Sequence, residues 1–106
     1  MEERTAPQTR DDRVCALSAV IDGDSIRCAD GREIRLLSID APEFAQSPWG
    51  ERSRDALLAL APLGTELAVE YDLERRDEFG RDLAYLRLPD GSLVNERMVA
   101  DGYALA

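Results

Sequence analysis

Three short apolar runs, kept apart by Asp-Gly turn signals, occupy residues 14–21, 25–28 and 32–39 of this chain. Asp22-Gly23-Asp24 and Ala29-Asp30-Gly31 interrupt them before a helix could accumulate enough turns to be stable. Runs this short, joined by turns this tight, pair as antiparallel neighbours, so the first 40 residues are expected to form a three-stranded meander. Pro42 ends the third strand, and residues 44–48 read as a loop.

Downstream the period changes. Ala56, Leu57 and Leu60 recur at helical spacing within 50–61, with Glu51 and Asp55 near the start, where the helix dipole favours negative charge. Pro62 and Gly64 stop that helix. Residues 66–71 alternate, with Leu67, Val69 and Tyr71 on one face, and 83–88 read as a fifth strand. Pro89-Asp90-Gly91 then turns the chain into a short helix at 94–100, ended by Gly102. This order predicts a mainly β fold with α elements: a five-stranded OB-fold barrel with a helix between strands 3 and 4 and a short C-terminal helix. The first helix would plug one end of the barrel.

A chain of 106 residues supports one small domain, and with 44% apolar but only 6% aromatic residues its core should be mostly aliphatic. Residues 1–13 are polar and charged and read as a disordered leader, leaving 14–106 as the domain. The chain stops while still apolar, at Tyr103-Ala104-Leu105-Ala106, which suits a domain truncated at its C-terminus. No run is long enough to span a bilayer and no signal-peptide pattern opens the chain, so no membrane partner is expected. Net charge is −9, all 13 basic residues are arginine, and histidine is absent. A histidine base or lysine nucleophile is thereby excluded, and phosphate recognition must be local rather than a property of the whole surface. An Asp22-Gly23 turn would set Cys28 opposite Leu17 and Cys15 opposite Asp30, two residues out of register. A disulfide would then need a bulge, and would imply an oxidising compartment. The favoured reading is two small buried residues.

Three clusters carry chemistry. Asp22-Gly23-Asp24 taken alone is a hairpin turn, and an EF-hand is excluded because Ile26 and Arg27 stand where that loop needs an oxygen ligand and a glycine. Asp40-Ala41-Pro42-Glu43 puts two carboxylates around a rigid turn, the makings of a metal ligand and a base, though a helix N-cap or solvated loop would look the same. Arg35 lies in the middle of an apolar strand, where a charge is costly unless it is paired or functional. Its odd spacing from Asp40 sets the two on opposite faces unless the strand is bulged or twisted at its end. In Asp77-Glu78-Phe79-Gly80-Arg81, Gly80 suits a corner and Arg81 opens the next strand, while Arg75 and Arg76 read as solvated surface. Together these clusters supply carboxylates for a divalent cation, a base for water, and guanidinium groups for a phosphate.

In order and spacing, Val20-Ile21-Asp22-Gly23-Asp24-Ser25-Ile26, residues 35–43, residues 77–85 and Val94-Asn95 resemble the signature set of the staphylococcal nuclease-like (thermonuclease) family. The resemblance runs from about Val14 to Tyr103. It implies an OB barrel with Ca²⁺-dependent hydrolysis of DNA and RNA, single-stranded or locally open, by a monomer. It assigns Asp24, Asp40 and the Ala41 carbonyl to the metal, Glu43 to the base or water-positioning role, and Arg35 and Arg81 to the scissile phosphate. Arg35, Arg81 and Tyr85 would contact substrate, while Asp22, Asp77 and Asn95 fall at structural positions. So few protein ligands imply weak metal binding, at ~10⁻⁴–10⁻³ M. Secretion or a periplasmic setting is favoured by the resemblance. The alternative is a nuclease-fold module that binds nucleic acid or protein and does no chemistry. All five of Asp24, Arg35, Asp40, Glu43 and Arg81 being present favours the enzyme, since a binding module has no need of the full set.

Overall fold

A computed structural model describes residues 11–43 and 45–106. Its strands are β1 (Val14–Asp22), β2 (Ser25–Cys28), β3 (Glu33–Leu36), β4 (Glu66–Arg76) and β5 (Asp82–Arg87). Helix α1 (Trp49–Leu60) lies between β3 and β4, and α2 (Val94–Ala100) follows β5. The strands close in the order β1-β2-β3-β5-β4, with β4 returning to β1 through Val14↔Ala68 and Cys15↔Leu67. Only β3 and β5 run parallel, at Ile34↔Asp82 and Leu36↔Ala84; the other pairs are antiparallel. This is the expected five-stranded barrel of OB type with its two helices.

Alternation explains what the barrel encloses. Ile34 and Leu36 from β3, Leu67 and Val69 from β4, and Ala84 and Leu86 from β5 point inward at every second residue. Leu57 of α1 and Val94 and Met98 of α2 complete the core, and it is aliphatic as the composition demanded. Helix α1 buries Gly50, Ser53 and Leu57, the spacing of one helical face. An inward-facing polar layer adjoins the core, which simple patterning did not anticipate. Arg32 and Asp82 are 8% and 4% exposed, and Tyr71 joins them: its hydroxyl donates to Asp82 Oδ2 at 2.7 Å and accepts from Arg32 Nη1 at 3.0 Å. Arg76 also donates to Asp82, at 3.2 Å, and Arg75 stacks over the Tyr71 ring, so these two arginines hold the barrel as well as facing solvent. Arg32 and Asp82 share the inward parity of Ile34 and Ala84 on adjacent strands, and that was the available signal.

Several boundaries move. The third strand ends at Leu36 rather than residue 39, because Leu37 and Ser38 turn the chain, with Ser38 at φ 65°. Strand β4 continues past residue 71 to Arg76: its outer half is exposed and rejoins β5 at Arg76↔Asp82 after a register shift, which leaves no hydrophobic alternation to read. Of the segment read as a leader, residues 1–10 lie outside the described residues. Asp11 to Arg13 form a turn whose carbonyls accept hydrogen bonds from Val14, Arg32 and Val69. Phe44 of the expected loop also lies outside the described residues.

The cysteines correct the favoured reading. Cys15 and Cys28 form a disulfide, S–S 2.10 Å, across Cα atoms 5.3 Å apart. Leu17 does face Cys28, but between Leu17 and Ala19 two residues of β1 oppose one of β2. The two buried sulfurs meet diagonally across the hairpin, with Cys15 two residues from the Leu17↔Cys28 pair.

Candidate active site

The turn at Leu37 and Ser38 resolves the face conflict between Arg35 and Asp40. It is held from several directions: Leu37 N–H donates to Ala84 O at 2.9 Å, the Asn95 side-chain amide donates to Leu37 O at 2.8 Å, and Ser38 Oγ meets the Tyr85 hydroxyl at 3.0 Å. Asn95 is buried and also accepts from Leu86 N–H, tying α2 and β5 to this turn. Beyond the turn, Asp40 exchanges two 2.8 Å main-chain hydrogen bonds with Leu105, so the C-terminal residues brace the loop that carries Asp40 and Ala41.

Asp24 arrives from the β1–β2 hairpin and is only 6% exposed. Its Oδ2 accepts from Ala41 N–H at 2.9 Å and its Oδ1 from Ser25 Oγ at 3.2 Å. Gly23 makes this approach possible. A Cβ there would lie 1.7 Å from Ser53 Oγ and 2.9 Å from Ala41 Cβ, so only glycine lets the hairpin seat between α1 and the Asp40 loop. The Arg35 guanidinium then stands 3.4 Å from Asp24 Oδ2 and 3.9 Å from Asp40 Oδ1, while also donating to Leu36 O. Half-buried Asp22 sits behind. Burial first, and then the neighbouring Asp24 carboxyl, push its pKa up to about 6.

Arg81 comes from the β4–β5 corner, and Asp77 builds that corner. Its Oδ1 accepts from the N–H groups of Phe79 and Arg81 at 2.9 Å, and its Oδ2 accepts from Arg81 Nε at 2.7 Å. Burial alone raises the Asp77 carboxyl, but those hydrogen bonds and the guanidinium charge together hold it below the usual carboxylate range. Gly80 supplies the positive φ, 83°, that the corner needs.

Asp24, Arg35 and Asp40 thus come together by direct ion pairing, and Arg81 shares a cleft of about 720 Å³ with Arg35 and Asp40. Glu43 is exposed and lines an adjoining cleft of about 640 Å³, together with Asp40, Ala41 and Trp49. Asp40 and its loop are the wall between the two. Tyr85 lies outside both, on the outer face of β5, against the Ser38 turn. Among the described residues, no three acidic, histidine or cysteine side chains gather around one point. The oxygen donors that meet here are the Asp24 and Asp40 carboxylates, a hard-oxygen set whose chemistry fits a hard divalent cation rather than a soft metal. The sequence reading missed Trp49, which no periodicity marks; it read Gly23 as a turn residue, which it is, but not that the turn also needs the space a side chain would fill.

Carboxylates and guanidinium groups thus stand at the joints of a closed barrel of OB type. The family model described as "Staphylococcal nuclease homologue" matches residues 33–106, and the chain belongs to that family. It is 42% identical over 88 residues to an uncharacterized endonuclease of Escherichia coli O157:H7, covering 80% of this chain and 55% of that protein. Similarity extends to the endonuclease YncB of Bacillus subtilis strain 168, at 35% over 97 residues, 83% of this chain and 45% of the other. With the thermonuclease of Staphylococcus hyicus it shares 32% over 95 residues, 82% and 55% respectively. The chain therefore spans about half the length of these curated relatives.

Proposed function

We propose that this domain hydrolyses phosphodiester bonds of DNA and RNA, in single-stranded or locally open form and with Ca²⁺. The observation that carries the reading is the meeting of Asp24, Asp40 and Arg35 within 4 Å, beside a cleft that also contains Arg81. Relatives that bear the names endonuclease and thermonuclease support it. Arg35 and Arg81 would donate to the non-bridging oxygens of the phosphate and stabilise the charge that builds as phosphorus becomes five-coordinate. Tyr85, beside the Ser38 turn, is assigned to substrate contact. Glu43 takes a proton from water as the water oxygen bonds to phosphorus. The opposite P–O bond breaks, and the departing oxygen takes a proton from solvent. Asp24, Asp40 and the Ala41 carbonyl would hold the cation, which when bound supplies Lewis-acid neutralisation of phosphate charge.

A second reading has its own observation. Arg35 is already balanced by two carboxylates and the chain carries −9, conditions that weigh against phosphate chemistry and suit a nuclease-fold module that only binds. One assay separates them: hydrolysis of single-stranded DNA with Ca²⁺ and with chelator, alongside Arg35→Ala. The enzyme reading expects chelator-sensitive cutting that falls ~10²–10³-fold in the variant. No cutting from a sample that melts cooperatively would leave the binding module.

A further inference from the structure

We infer that Trp49 is a stacking platform for an unpaired nucleobase of the strand whose phosphate lies at Arg35 and Arg81, on the other side of the Asp40 loop. The inference rests on the nuclease reading of that site and adds the part of the substrate the charged cluster cannot hold. Trp49, the first residue of α1, is 61% exposed, a large apolar surface to leave in water. It lines the same cleft as Asp40, Ala41 and Glu43, with Tyr103 and Leu105 also lining it, at 40% and 74% exposed. The Arg52 guanidinium lies over the indole ring, 5.0 Å from its centre, so one face of the ring carries a positive charge in a chain of net −9. An aromatic face, an adjacent cation and a neighbouring phosphate-reactive cluster are what a single strand needs: its bases stack while its backbone is tracked by charge. In a duplex the base faces are already stacked on their neighbours, so this platform selects single-stranded or locally open substrate.

Trp49 is also the sole tryptophan, so its own fluorescence reads the contact. The test titrates the protein, with Ca²⁺ present, with a phosphorothioate-linked single-stranded oligodeoxynucleotide. An abasic strand of equal length and the corresponding duplex serve as comparisons. Saturable quenching by the base-bearing strand is expected, with at least roughly ten-fold weaker response to the other two. With a dye-labelled form of the same strand, Trp49→Ala should weaken binding roughly ten-fold and raise KM with little change in kcat, while Trp49→Phe keeps most of the affinity. Equal quenching by the abasic strand would assign the cleft to phosphate alone. No quenching by any strand would assign the aromatic surface to a protein segment instead. Either result overturns the inference, as does wild-type affinity in Trp49→Ala. Because binding is read without hydrolysis, loss of the nuclease reading would show separately, as a folded protein that stacks but does not cut.

Discussion

Asp77 is an acidic residue whose work is to hold a basic one. With three hydrogen bonds to the corner it closes, it fixes the direction from which Arg81 enters the cleft. Asp77→Asn keeps the shape but weakens the charge-assisted bond. Nuclease rate is expected to fall ~10–100-fold, the effect of a misplaced positioning group, in a protein that still melts cooperatively. An unchanged rate would mean that Arg81 is placed by other contacts. The same residue sets a pH dependence. Its folded pKa is depressed, so its stabilising contribution is complete above the ordinary carboxylate range and is lost as pH falls through the lower folded value. Wild type should therefore lose more stability than Asp77→Asn on acidification below about pH 4, read as melting temperature against pH. At this scale the sequence was informative about type and poor about partner. A lone arginine in an apolar strand marked Arg35 as special, yet its partners Asp24 and Asp40 come from other loops and are joined to it by the fold.

The β1–β2 hairpin acts as an element, because its tip is clamped between α1 and the Asp40 loop. Gly23→Ala would drive a methyl group into Ser53 and Ala41 and push Asp24 away from Ala41 N–H. Such overpacking costs ~1–3 kcal/mol, which urea melting should register as a lower midpoint at unchanged slope. A midpoint equal to wild type would show that the hairpin tip does not depend on this contact. Elements packed on one face were legible, since burial imposes a period: α2 falls at Val94–Ala100 as expected, and α1 within one residue. The end of β3 and the outer half of β4 were not. One is decided by a turn that Asn95 and Ala84 hold from a distance, the other by a bulged extension tied back through Arg76 to Asp82 and Arg75 to Tyr71.

For the molecule as a whole, the disulfide matters more than its two residues suggest. It closes a 13-residue separation within a small domain. Loop-closure entropy for a loop of this size gives about 3 kcal/mol. Reduction, or Cys15→Ser with Cys28→Ser, should lower the melting temperature by roughly 10–20 °C. A reduced protein melting within a degree or two of the oxidised one would show that the bridge is dispensable. Much of this protein was set by sequence alone: the element order, the aliphatic core, the turn chemistry and the kinds of charged group available for catalysis. Those properties are local, or repeat with a period that a single strand or helix can display. The tertiary structure alone decided which charges meet, that Gly23 is needed for space, that Arg32, Tyr71 and Asp82 share a buried layer, and that Cys15 reaches Cys28. Each of these depends on strand curl, bulges and the closure of the barrel, which bring together residues far apart in the chain by distances that no spacing in the sequence encodes.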